Sequence, residues 1–482
     1  MFNVEMIVFM VYLLFMVGIG VYFFVRSKSG GDKGYFLGGR QMGPWVSALS
    51  AGASDMSAWV LMGLPASIYA MGIGQAWIAI GLGIGYTVSW LVQAPRLRRY
   101  SIAANDSITI PQYLTNRFMS KNNALQVICA VIFLVAYTIY AASSIKACGT
   151  LFNTVMGIDA TVAMYIAALI IICYTFLGGF SAVCWTDFFQ GLIMLAALLV
   201  APIFALALVK GGAGAAGAVM PEGFFNFMTT PQDIISGLGW GLGYFGMPHI
   251  IIRFMSIKSE KEVKKSAVIG ISWTTIILVM SALTAVAGRL YLGEISDSST
   301  VFIQMTRSIF PALVSGLLLS AILSAAMSTA DSQLLAASSA FASDVYKPII
   351  RKNASNKEML WASRIVVLII AIVAVLIAAN PNSGTIMGLV ENAWGVFGAA
   401  FGPAILLSLF WKRYNFAGAV AGIAVGAVAD VLWLVCLKST GIYEIVPGFI
   451  VGMIAAIIVT LCTKAPSKEV EALFDNASKS EA

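Results

Sequence analysis

Asp55 lies inside an apolar stretch, residues 45–70, that is long enough to cross a bilayer. A carboxylate at membrane depth is costly and is usually kept for a function. Ser50, Gly52, Ser54 and Ser57 surround it. This mixture predicts a helix that opens in mid-membrane and exposes carbonyl groups. Unwound backbone is tolerated at that depth only where it lines a protein-enclosed cavity. A second polar group lies in Ser320-Ala-Ile-Leu-Ser-Ala-Ala-Met-Ser-Thr329. Helical spacing puts the Ala325 carbonyl and the Ser328 and Thr329 hydroxyls on one patch. With two carbonyls from Ala53–Met56, five neutral oxygens can converge. Such a set suits a small, hard, monovalent cation; calcium sites recruit carboxylates, and magnesium keeps its waters. The same hydroxyls could instead bond back to their own helix or join helices together.

The elements that must position these groups are membrane spans. The chain has 482 residues, 60% hydrophobic and 11% charged. Soluble proteins carry about 25% charged residues. Apolar runs recur at 4–25, 45–70, 72–94, 123–150, 160–178, 184–209, 233–252, 267–292, 309–343, 359–379, 385–411, 415–437 and 442–463. They predict an all-α polytopic membrane protein with thirteen transmembrane helices. The run Met6 to Val25 reads as a retained helix rather than a signal peptide. The whole of 1–482 reads as one transmembrane domain with a short tail at 464–482.

Net charge is +7. Lysine and arginine concentrate in alternate loops: Arg26, Lys28, Lys33 and Arg40, then Arg96–Arg99, then Arg253–Lys265, then Lys347–Lys357. This asymmetry puts those loops and the C-terminus in the cytoplasm and the N-terminus outside. It explains the basic balance without a nucleic-acid partner. Cys129, Cys148, Cys173, Cys184, Cys436 and Cys462 lie in or beside apolar spans, where thiols act as small hydrophobes.

A second broken span is expected at 233–252. Gly237-Leu-Gly-Trp-Gly-Leu-Gly-Tyr-Phe-Gly-Met-Pro248 carries five glycines and a proline. Glycine and proline weaken a helix interior. The two breaks lie five spans apart, so they cross in opposite directions. Paired interrupted helices in two inverted halves point to a transporter site. The inverted repeats would be 45–209 and 233–411.

Several segments resemble the sodium/solute symporter family, and the proline branch within it. They are Tyr35-Phe-Leu-Gly-Gly-Arg40, Ser47–Ser57, Leu61-Met-Gly-Leu-Pro65, Gly178–Gln190 with its Trp-Thr-Asp187, Gly239–His249, Met327-Ser-Thr329 and Gly398–Pro403. The resemblance implies a LeuT-like fold and import of L-proline coupled to sodium, with sodium a transported co-substrate and no organic cofactor. It implies sodium between Ala53, Met56, Ala325, Ser328 and Thr329. Ser57, Trp59, Tyr140, Trp240, Tyr244 and Pro248 would surround the substrate. Asp55 would tune sodium binding, with Arg40 and Asp187 further coupling residues. Aromatic faces suit a ring and an ammonium, and half-helix amides suit a carboxylate.

Arg40 reads equally as a topology anchor, and Asp187 as a cation attractor or a helix cap. His249 reads as helix-end packing or a proton carrier. Asp331 could balance a nearby cation, bind a lysine such as Lys146, or admit protons. Other small amino acids or carboxylates are alternative substrates, and proton coupling is an alternative driving force. No nucleophile–base pair or metal cluster supports an intramembrane enzyme. The tail is too short for a sensor's signalling domain. A plasma-membrane protein embedded in lipid follows.

Overall fold

The computed structural model describes residues 4–26, 34, 37–177, 179–214 and 220–479. Lys28, Lys33, Tyr35, Phe36 and Gly178 lie outside the described residues, as do the side chains of Arg26 and Cys173. Every regular element among the described residues is helical, and the one β-type pairing is an isolated bridge, Met42–Ile257. Ten of the helices are long and apolar enough to cross a membrane, and Ala58–Met71 and Ala160–Ile172 are shorter apolar helices.

α1 covers Val4–Arg26. The first apolar stretch divides into α2, Pro44–Asp55, a short turn at Ala58–Val60, and α3, Gly63–Met71. α4, Trp77–Val88, continues through a wide turn at Ser89–Gln93 into α5, Ala94–Ala103. α6 is Ile110–Arg117, α7 Ala124–Met156, α8 Ala160–Leu177 and α9 Phe180–Leu208. The glycine-rich stretch forms α10, Pro231–Gly239, a tight turn at Trp240–Phe245, and α11, Pro248–Ser256. α12 is Glu260–Leu292, α13 Val301–Ile309 and α14 Ala312–Ala340, the last extended by a wide turn over Phe341–Ile350. α15 is Asn356–Ala379, α16 Ile386–Phe410, α17 Phe416–Cys436, α18 Ile445–Cys462 and α19 Lys468–Ser478.

Local chemistry explains many boundaries. Thr109, Thr230, Ser259, Ser355 and Asn415 each accept a backbone N–H as helix N-caps. Such caps satisfy donors that a helix start leaves open. Pro44 and Pro248 open α2 and α11, where a missing N–H costs nothing.

α14 is the hub. It packs on α1, α7, α9 and α15, and α2 also lies against it. From Leu318 to Ala340 it is buried throughout. α17 and α18 pack along one another and against α16. Arg96, Arg98 and Arg99, expected in a loop, lie instead on α5. Arg253, also expected in a loop, is a fully buried residue of α11. The span before it runs four residues further than its apolar run, because buried partners compensate its charge.

Candidate functional site

Both predicted breaks are present. α2 ends at Asp55; Met56 has φ −78° and ψ 72°, and Ser57 is extended. Ser57 Oγ accepts the Trp59 N–H at 3.4 Å, and the Trp59 indole donates to the Asp55 carbonyl at 3.3 Å. Ser281 of α12 donates to the Val60 carbonyl at 2.5 Å. The freed Asp55 and Val60 carbonyls are thus satisfied by side chains, as a low-dielectric site demands.

The second break is served in the same way. The Trp394 indole donates to the Trp240 carbonyl at 2.8 Å, and Gln93 Nε2 to the Phe245 carbonyl at 3.0 Å. Gly241 lies so close to α4 that a Cβ there would stand 2.3 Å from the Gly81 carbonyl oxygen. The glycines therefore break a helix and also admit a neighbour.

Of the expected cation ligands, Ser328 reaches the first break. Ser328 Oγ lies 2.7 Å from the Ala53 carbonyl oxygen and 3.2 Å from that of Ala325. The Thr329 hydroxyl is buried with no protein partner among the described residues. Met56 is the residue at which the helix opens. Asp55 sits beside this group, fully buried. Its Oδ2 accepts the Tyr244 hydroxyl at 2.5 Å, and its Oδ1 has no protein partner among the described residues.

An aromatic wall joins the two breaks. The Trp59 and Trp240 rings lie 6.5 Å apart, and Tyr244 meets Trp394 edge-on at 5.2 Å. Tyr140 of α7 stands beside Ser57 and Trp59, and its hydroxyl is a second buried orphan. Pro248 is buried at the start of α11. A cleft of about 920 Å³ reaches Trp240, lined by Met62, Lys146, Met387 and Glu391 among others. The loop around Ser383 and Gly384, to which Lys146 Nζ donates, also lines it. Lys146 is therefore occupied there, and Asp331 lies elsewhere, accepting from Ser332 Oγ at 3.4 Å.

Arg40 and Asp187 stand apart from the cation group. Arg40 is buried in the left-handed region, φ 54°, a conformation uncommon for a residue with a Cβ. It donates to Asp106 Oδ1 at 2.9 Å, Ser101 Oγ at 3.0 Å, the Ser107 carbonyl and the Met255 carbonyl. Burial pulls its pKa down, and Asp106 opposes that shift. Asp187 lies inside α9 rather than at its start, so it is not a helix cap. It is buried on α9 and ion-paired with Arg253 at 2.9 Å.

Arg253 was missed by sequence reasoning. It also donates to Ser50 Oγ of α2 at 2.9 Å and to Ser332 Oγ of α14 at 2.5 Å. His249 serves a comparable purpose one turn away. Its Nε2 lies 3.1 Å from the Ser54 carbonyl, and its backbone N–H donates to Tyr137 at 3.0 Å. The lone histidine is a bridge between the broken helices.

These features define a helical secondary transporter with two interrupted helices facing a shared, buried site. The chain belongs to the Sodium:solute symporter family, which matches residues 35–426. It is a sodium-coupled solute symporter, not an enzyme. It is 45% identical to the osmoregulated proline transporter OpuE of Bacillus subtilis, covering 98% of each chain. It is 44% identical to a sodium/proline symporter of Staphylococcus aureus (strain USA300 / TCH1516), covering 96% of this chain and 93% of that one. Among solved structures it resembles a Na+-coupled sialic acid symporter, with TM-score 0.80, 21% identity, and coverage of 96% of this chain and 99% of that chain. That likeness carries the fold, which is of the LeuT type.

Proposed function

We propose that this protein imports L-proline together with sodium by alternating access. One observation carries the reading: Ser328 Oγ lies 2.7 Å from the Ala53 carbonyl across two helices, with the unpartnered Thr329 hydroxyl beside it. Sodium would bind Ala53, Met56, Ala325, Ser328 and Thr329, turning the Ser328 hydrogen outward. Asp55 contributes negative charge and positions Tyr244. Ser57, Trp59, Tyr140, Trp240, Tyr244 and Pro248 border the substrate. Proline fits such a wall because its ring needs apolar faces and its charges need buried polar partners. Relatives named as proline transporters support that choice over other amino acids.

The chain crosses the membrane thirteen times, counting both broken spans, with repeats at 45–209 and 233–411. The N-terminus is outside and the tail at 464–482 cytoplasmic, as the lysine and arginine bias supports. The cleft above Trp240 is then the outer vestibule, and Arg40 and Arg253 lie on the inner side. Arg40 and Asp187 act on coupling through the packing of the broken helices.

The test is uptake of labelled proline into proteoliposomes under an imposed sodium gradient, with competing amino acids. Sodium should raise proline affinity about 5- to 150-fold, the usual range for coupled sites. Ser328→Ala with Thr329→Ala should abolish that effect. Proline binding indifferent to sodium in the intact protein would sink the reading.

A further inference from the structure

α14 continues past the cation group into a second set of buried polar atoms. Gln333 lies one turn beyond Thr329, and Ala337, Ala340 and Asp344 follow on the same helical stripe. At the rise of an α-helix, Thr329 and Asp344 are about 22 Å apart. At Thr329, Gln333 and Ser343, four buried atoms have no protein partner among the described residues: Thr329 Oγ1, Gln333 Nε2, Gln333 Oε1 and Ser343 Oγ. Buried polar atoms in native proteins find a partner in protein, water or ion. An amide with neither end satisfied, inside a packed hub helix, needs a polar visitor.

Asp344 ends the stripe. It is fully buried, and the Thr109 hydroxyl donates to it at 2.9 and 3.1 Å from its two oxygens. Among the described residues it has no ion-pair partner. Cys129 of α7 lies beside it. Gln126, one turn away on the same face of α7, has an orphaned Oε1. A buried carboxylate without a counter-ion takes up a proton or a cation.

Thr109 is the N-cap of α6, accepting from Gln112 N at 3.2 Å, and Asp344 orients its hydroxyl. That role needs an acceptor oxygen and no charge, so an asparagine would fill it. The orphaned Gln333 and Ser343 atoms would remain unexplained.

We propose that Asp344, with Thr109 and Ser343, is an inner way-station for sodium. The ion leaves the Ala53–Ser328–Thr329 group, passes the Gln333 amide, and reaches Asp344 before entering the cytoplasm. Between the two the stripe carries only Ala337 and Ala340, small and buried. This inference rests on the sodium-coupled reading above and concerns release, not binding.

The experiment uses full-length protein in proteoliposomes, as wild type, Asp344→Asn and Gln333→Leu. Sodium-dependent proline binding and proline exchange, with saturating sodium on both sides, need no sodium release. Net uptake down a sodium gradient does. Both variants should keep binding and exchange near wild type while net uptake falls about fivefold or more, the low end of what coupled sites carry. Net uptake should also become more sensitive to internal sodium. Unchanged net uptake in Asp344→Asn overturns the proposal and leaves the capping role. Exchange falling in step with net uptake overturns it too, since the defect would then lie in folding or binding. A wild type without sodium-dependent exchange overturns both this inference and the proposed function.

Discussion

The Tyr244 hydroxyl donates to Asp55 Oδ2 at 2.5 Å, joining the tight turn of the second broken helix to the end of the first. It is a direct polar bond between the cation group and the aromatic wall. Hydrogen bonds to a charged acceptor contribute about 1.5–3 kcal/mol. Tyr244→Phe keeps the ring against Trp394 and removes only this bond. The sodium concentration for half-maximal proline binding should then rise about ten- to a hundredfold, the same energy expressed as affinity. Sodium titration of proline binding measures it. A sodium dependence equal to wild type would show that the two sites communicate by another route.

Asp187 and Arg253 form a buried pair with side chains 0% and 2% exposed. Removing one partner of such a pair leaves an uncompensated charge and costs about 3–5 kcal/mol. Arg253→Met should therefore lower the thermal unfolding midpoint in detergent by many degrees. Asp187→Leu combined with Arg253→Met removes both charges and should recover much of the loss. Equal instability of the single and double variants would mean that the Ser50 and Ser332 bonds, not the ion pair, hold the site.

The broken helices were legible because glycine, proline and small polar residues interrupt long apolar runs, and a membrane forbids that without compensation. The Ser328–Ala325 contact was legible because helical spacing alone puts the two together. The Arg253–Asp187 pair was not legible. Arg253 stands at the end of an apolar run, where a basic residue ordinarily marks a loop, and no local pattern links residues 66 apart. The compensating groups of the breaks were hidden for the same reason. Gln93, Ser281 and Trp394 come from three other helices, and only packing brings them to the exposed carbonyls.

Every glycine of the second break is closely enclosed by its neighbours. A Cβ on Gly241 would meet the Gly81 carbonyl at 2.3 Å, and backbone cannot rotate away as a side chain can. Overpacking of this kind costs about 1–3 kcal/mol or more. Gly241→Ala should reduce the amount of folded protein in the membrane. Gly18→Ala in α1 meets nothing within 4 Å and should be neutral or slightly stabilising. Quantitative immunoblots with unfolding midpoints compare them. Equal expression of both variants would mean that α4 and the second break separate at little cost.

The tail was expected as a short polar appendage, yet α19 is docked. Phe474 meets Tyr100 edge-on at 5.5 Å and lies 5.1 Å from the Arg117 guanidinium carbon. The Tyr100 hydroxyl donates to the Phe474 carbonyl at 3.2 Å, and Arg99 to the Ala477 carbonyl at 3.2 Å. Lys412 pairs with Asp475 at 2.6 Å on the exposed side. Exposed ion pairs contribute little and are screened by salt. A packed aromatic ring contributes far more, with large-to-small truncation of buried phenylalanine costing about 3–5 kcal/mol and less where it is partly exposed. Phe474→Ala should thus expose the Lys468 region to trypsin, while Lys412→Ala should leave cleavage near wild type. Raising salt should likewise have little effect. Rapid cleavage in Lys412→Ala, or strong salt dependence in the wild type, would show that charge rather than the aromatic contact holds α19 against α5.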